Sequence, residues 1–134
     1  HFTSINDRFG HPFGDLVIER FGALLQAHAA AQGCVVRLGG EEFAVALPGA
    51  GTDEALAYTA RVAQALWSAR TAARVTPSTS AGISALTTDH EGADLLLRRA
   101  DAALYAAKAG GRNRPAVWAE PIAVGRRFAA PSAV

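Results

Sequence analysis

Methionine is absent from these 134 residues, and cysteine occurs once, as Cys34. A lone cysteine cannot staple a domain, which excludes a disulfide scaffold. Flanked by apolar residues, Cys34 is expected to pack as a small hydrophobe in a reducing compartment, and the chain reads as cytoplasmic. An excess of either charge is also missing: 13 basic residues face 12 acidic ones, for a net charge of +1. That balance supplies no electrostatic footprint for DNA, RNA or a membrane surface, so any anion site has to be local. No apolar run approaches the roughly 20 residues that cross a bilayer, and no charged-then-apolar leader opens the chain. Beginning at His1 without methionine, it reads as a piece of a longer protein.

What is present suits one domain, because half of the residues are apolar and can supply a single core. Val17, Phe21, Leu24 and Leu25 recur at helical spacing between Asp15 and about Ala31, behind an aspartate suited to capping the helix start. Two apolar runs follow, Cys34 to Val36 and Phe43 to Leu47, separated by Arg37-Leu38-Gly39-Gly40-Glu41-Glu42. They predict a β-hairpin with an exposed tip. A second helix is expected from Thr52 to about Ala69, with Leu56, Ala60, Ala63 and Leu66 on one face and Asp53 and Glu54 at its positive end. A strand is read from Ser78 to Ala85, preceded by a weaker one over 74–76. A third helix is expected from Ala93 to Ala109, burying Leu96, Ala100, Ala103, Leu104 and Ala107 and ending at Gly110-Gly111. A short strand over Ala116 to Trp118 completes the domain, read as residues 1–118. Residues 119–134 lack periodicity and read as a poorly ordered tail. Helices alternating with strands around one tight hairpin give an α/β fold in the broad sense, α+β, with helices on a mainly antiparallel sheet.

Three clusters carry candidate chemistry. At the hairpin tip, Gly39 and Gly40 set bare backbone beside the carboxylates of Glu41 and Glu42, where a phosphate can come close and an acid can hold a divalent cation. Taken alone, such a tip is more often a turn with solvated acids. The stretch from Asn6 to Asp15 is rich in Asn, Asp, Gly and Pro and reads as a shaped loop. The Asn6 amide and Asp15 carboxylate match the donor and acceptor pattern on the edge of guanine, although a helix cap and a turn residue explain them as well. Lys108 and Arg112, four residues apart where the third helix runs out, can gather a triphosphate or simply offset the helix dipole.

Taken in order, these clusters resemble the GGDEF family, the catalytic domain of diguanylate cyclases. The likeness rests on His1-Phe2, Ile5-Asn6-Asp7, Phe9-Gly10-His11, Gly14-Asp15, Arg37 to Phe43, Ala100-Asp101, Ala103-Leu104-Tyr105, Ala107-Lys108 and Gly111-Arg112-Asn113. It spans about residues 1–118, with the family's first strand lying ahead of His1. The resemblance implies a fold like the palm of nucleotide cyclases and polymerases, a central antiparallel sheet wrapped by helices with Gly-Gly-Glu-Glu-Phe at a hairpin tip. It implies condensation of two GTP into cyclic di-GMP with release of pyrophosphate, in a two-fold homodimer. An upstream sensor domain is expected too, and the charge balance predicts no nucleic-acid or membrane contact from this domain. Asn6, Asp15, Gly39, Gly40, Lys108 and Arg112 match the GTP-binding positions. Glu41 and Glu42 match the catalytic acids, and Glu41 the ligand of Mg²⁺ or Mn²⁺, its companion aspartate falling upstream of His1. The alternative within the family is a silent module that binds GTP or cyclic di-GMP to regulate an attached domain.

Two departures bear on function. Thr3 stands where the family usually has lysine. The product-inhibition motif Arg-x-x-Asp would fall at residues 30–33, which are Ala-Ala-Gln-Gly, so no feedback inhibition is expected through that site.

Overall fold

The computed structural model describes residues 2–69, 77–119, 123–125 and 127–128. In chain order the elements are α1 (Phe2–Phe9), α2 (His11–His28), β1 (Cys34–Gly39), β2 (Glu42–Ala46), α3 (Thr52–Ser68), β3 (Ala81–Ile83), α4 (Ala93–Ala109), β4 (Pro115–Val117) and β5 (Ala123–Val124). The weak strand expected at 74–76 lies outside the described residues.

The stretch expected to be a loop from Asn6 to Asp15 is instead helical on both sides of Gly10, whose φ of 84° turns the chain between α1 and α2. Phe2, Ile5 and Phe9 recur at helical spacing and are each partly buried, which pulls this polar, glycine-bearing segment into a helix. Pro12 falls in the first turn of α2, where its missing N–H leaves nothing unpaired. Asp15 therefore sits a turn inside α2 and is exposed; it does not cap the helix, whose N-cap is Gly10.

Among the described residues the strands form two sheets rather than one. The hairpin pairs β1 with β2 antiparallel, Val35 opposite Val45 and Arg37 opposite Phe43, with a register shift between Arg37 and Gly39. In the second sheet β3 runs parallel to β4, and β5 adds antiparallel to β4. Helix α4 makes the crossover from β3 to β4, as a parallel pair requires. Ala123 and Val124 fall in the stretch read as a tail, where backbone pairing to β4 needs no side-chain pattern.

The two sheets carry separate cores. Leu25 of α2 meets Tyr58 and Val62 of α3, with Phe21, Leu24, Val35, Phe43, Val45 and Leu47 packed against them. The buried stripe of α3 is Tyr58, Val62 and Leu66; this corrects the face expected through Ala60, which is exposed. Tyr58 carries its hydroxyl inward because Oη donates to the Leu25 carbonyl at 2.8 Å, and burial pushes its pKa up. Cys34 lies on the opposite face of β1 from Val35 and is exposed, so it does not pack as the expected small hydrophobe.

In the second core Ala103 and Ala107 of α4 and Ala116 of β4 are wholly buried. Small residues let the helix approach closely, and Gly82 of β3 shows how closely. A Cβ there would collide with the Ala100 carbonyl and the backbone of Leu104, so only glycine fits beneath the helix. This contact sets the height of α4 above its sheet and, with it, the position of the Lys108 end.

Candidate functional site

The tip of the hairpin is built by backbone geometry. Gly40 takes φ 51° in the two-residue turn between the paired residues Gly39 and Glu42. An L side chain is strained there, and around both Gly39 and Gly40 the space a Cβ would occupy is empty to 4 Å. Bare main chain therefore faces solvent, flanked by the exposed carboxylates of Glu41 and Glu42.

Arg37 holds this turn in place. Its Nε and Nη2 donate to the Gly40 carbonyl at 3.1 and 2.8 Å, a two-pronged grip that a lysine cannot reproduce. The same residue lines a cleft of about 340 Å³ between α2 and the hairpin, together with Asp15, Ile18, Glu19, Gly22, Ala23 and Phe43. Arg37 thus belongs to the tip and the cleft at once. Its place in the motif was visible in the sequence, but its grip on Gly40 was not, because that depends on the register shift after Arg37.

Of the two residues expected to read a guanine base, Asp15 lines this cleft and Asn6 does not. The Asn6 side chain lies against Gly14, where an added Cβ would fall on Oδ1. That oxygen is buried with no hydrogen-bond partner among the described residues. A buried acceptor left unpaired is unfavourable by about 1–3 kcal/mol. Asn6 and Asp15 are thereby brought to the same stretch of α2, through Gly14 and the residue next to it.

From the other side, α4 delivers Lys108 to the tip, where Nζ stands 3.2 Å from Oε1 of Glu42. Both side chains stay substantially exposed, at 37% and 48%. Beyond Lys108 the helix ends in a Schellman arrangement: the N–H of Gly111 donates to the Lys108 carbonyl at 3.3 Å, and that of Arg112 to the Ala107 carbonyl at 3.0 Å. Arg112 and Asn113 then take φ of 57° and 49°, uncommon for non-glycine residues. The turn is braced by Ser80, whose Oγ accepts from the Asn113 N–H at 3.1 Å. Arg112 is exposed and has no carboxylate partner among the described residues.

Glu41 does not line the cleft. Nor do three or more His, Cys, Asp or Glu side chains gather as a metal site among the described residues. An exposed carboxylate beside open backbone fits an ion that shares its shell with a ligand's phosphates, as Mg²⁺ commonly does, rather than one held in an all-protein cage.

The arrangement is thus a glycine tip gripped by Arg37, a cation from α4 on one side and a cleft holding an acid on the other. Against known proteins, the family model for "Diguanylate cyclase, GGDEF domain" matches residues 1–114. The chain is 38% identical over 121 residues to the response regulator PleD of Caulobacter vibrioides, an alignment covering 84% of this chain and 26% of that protein. It is 33% identical over 116 residues to diguanylate cyclase A of Treponema denticola, covering 84% of this chain and 31% of that one. Among solved structures, the active GGEEF domain of a diguanylate cyclase from Vibrio cholerae superposes with a TM-score of 0.83 at 31% identity, covering 89% of this chain and 77% of that domain. The chain belongs to the GGDEF domain family of diguanylate cyclases, and its α+β fold is that of the family. It spans less than a third of the length of these two curated relatives. No helix among the described residues is long and apolar enough to cross a membrane.

Proposed function

We propose that this domain is the cyclase unit of a cytoplasmic signalling protein, condensing two GTP into cyclic di-GMP with release of two pyrophosphates. The observation that carries the reading is the convergence at Gly39-Gly40. Arg37 ties the tip to the cleft that holds Asp15, and Lys108 reaches Glu42 at the rim of the tip across 66 residues of sequence.

In this reading Asp15 accepts from the N1–H and N2–H of guanine, and the amide of Asn6 completes recognition of the base. Adenine lacks that pattern of donors, so selectivity follows from polar groups it would leave unpaired. The triphosphate runs over the bare backbone of Gly39 and Gly40, where Lys108 and Arg112 offset its charge. Glu41 would hold a Mg²⁺ or Mn²⁺ ion, which when bound supplies electrostatic stabilisation of charge on the phosphates. What the chain contributes to the chemistry is alignment: the 3′-hydroxyl of one nucleotide must sit in line with the α-phosphorus of another. One domain offers one nucleotide site, so two copies facing across a two-fold axis let each GTP attack the other. The natural protein would carry an input domain upstream.

Two measurements test this. Titration with GTP and ATP asks for guanine-selective binding, which Asp15→Ala should weaken while leaving turnover at saturating GTP less affected. Incubation of the protein that carries this domain with GTP and Mg²⁺ asks for cyclic di-GMP, which Glu41→Gln should abolish. Selective GTP binding without product would favour a regulatory nucleotide-binding module. Wild-type behaviour of both variants would overturn the residue roles.

A further inference from the structure

The end of α4 gathers more positive charge than Lys108 and Arg112 account for. Around Gly111 two further guanidinium groups converge. Nη2 of Arg127 and Nη2 of Arg114 lie 2.8 and 3.2 Å from the single point that a Cβ on Gly111 would occupy. Arg127 arrives from the chain beyond β5 and donates Nη2 to the Gly111 carbonyl at 3.3 Å. Arg114 donates Nε to the carbonyl of Arg112, also at 3.3 Å. The segment bearing Arg127 is fastened on both sides, because the N–H of Gly125 donates to the Pro115 carbonyl at 2.9 Å and that of Phe128 to the Asn113 carbonyl at 3.0 Å.

Like charges brought together repel, and some opposite charge normally offsets them. Here none does: among the described residues Arg112, Arg114 and Arg127 make no ion pair, and the one nearby acid pair, Lys108 with Glu42, is already matched. A guanidinium carries five N–H donors, and each of Arg114 and Arg127 engages one in these backbone bonds. The anchored groups are thus held in place with donors to spare, at low entropic penalty for taking a ligand.

We propose that Arg114 and Arg127 form, with Arg112, an anion subsite for the terminal phosphates of a nucleoside triphosphate and for the pyrophosphate it leaves behind. The proposal rests on the assignment of Lys108 and Arg112 to the triphosphate and extends that contact to two residues it did not include. A compact, multiply charged phosphate matches two planar forks converging on one point, whereas a single carboxylate would satisfy only one of them. The residue at 127 lies in a stretch without periodicity, so nothing in the sequence marks it.

The test uses the whole chain and four ligands, inorganic pyrophosphate, GTP, ATP and GMP, titrated calorimetrically at fixed ionic strength. Arg127→Gln should weaken pyrophosphate and GTP roughly tenfold, the loss of one charge-assisted contact, and leave GMP unchanged. Arg114→Gln should act in the same direction, and Arg127→Lys should retain part of the affinity because it keeps the charge without the fork. Arg127 is exposed, so an unchanged melting temperature should accompany its substitution. Equal pyrophosphate affinity in wild type, Arg127→Gln and Arg114→Gln would overturn the proposal, as would a wild-type chain that binds no pyrophosphate. If pyrophosphate binding depends on Arg127 but GTP shows no advantage over ATP, the subsite stands and the guanine assignment falls.

Discussion

Lys108 and Glu42, 66 residues apart in sequence, meet with Nζ 3.2 Å from Oε1 at the rim of the hairpin turn. The pair is half in water, so its own contribution to stability is small, about 0–1 kcal/mol, and salt weakens it further. Its interest is positional. It shows that α4, seated on β3 through Gly82, brings its cationic end to the tip that Arg37 holds from below.

A double-mutant cycle on Lys108→Met and Glu42→Gln, read by urea denaturation, should return a coupling of less than about 1 kcal/mol that shrinks in high salt. The same lysine variant should lose GTP affinity by roughly tenfold or more, since a phosphate contact is worth more than an exposed ion pair. Equal losses in stability and in binding would mean that Lys108 matters mainly as a strut.

Arg37→Lys keeps the charge but not the two-pronged grip on the Gly40 carbonyl. Losing about one net hydrogen bond, near 1 kcal/mol, should speed amide exchange at the tip while leaving global stability close to wild type. Because Arg37 also lines the cleft with Asp15, turnover should fall by about tenfold or more as the tip loses its fixed place. Wild-type exchange at Gly40 and Glu41 would remove the positioning role.

Gly82→Ala should be among the most disruptive small changes in the chain. The added Cβ meets helix backbone rather than the end of a flexible side chain, so α4 itself must lift. Overpacking of this kind is unfavourable by about 1–3 kcal/mol, and a backbone clash belongs at the upper end. Chemical denaturation would show the loss, and GTP affinity should fall with it because Lys108 rides on the displaced helix and Arg112 follows directly on its end.

Much of this site was legible in the sequence because its parts are local and chemically marked. Gly39-Gly40-Glu41-Glu42 between two apolar runs announces a hairpin tip, and Gly110-Gly111 announces where α4 must stop. The stretch from Asn6 to Asp15 misled because Asn, Asp, Gly and Pro favour turns, whereas the spacing of Phe2, Ile5 and Phe9 decided for helix. On α3 Leu66 is buried as expected, but Ala60 is not, because alanines do not show which side is inward while Tyr58 and Val62 do. Cys34 was misplaced for a related reason: an apolar neighbourhood in sequence does not say which face of a strand a residue occupies. What no pattern carried were relationships across the fold: Lys108 with Glu42, Arg37 with the Gly40 carbonyl, and Arg127 with Gly111.

The last prediction concerns acid stability and the loop that enters α4. Glu91 accepts from the Thr87 N–H and Oγ1, each at 2.8 Å, and from Arg99 Nη1 at 2.7 Å. Arg99 in turn lies over the Trp118 ring, 4.3 Å from its centre. The Thr87 backbone bond first, then its hydroxyl and Arg99, hold the Glu91 carboxyl down at about 2 from an ordinary 4.5. Because the folded value lies below the unfolded one, the contribution is fully present above about pH 4.5, and it fades as pH falls toward 2. Glu91→Gln should therefore melt below wild type at neutral pH, and the two curves should draw together across that window and meet near its lower end. A constant gap between the two melting temperatures from pH 6 down to the bottom of the window would mean that Glu91 acts through packing rather than through its charge.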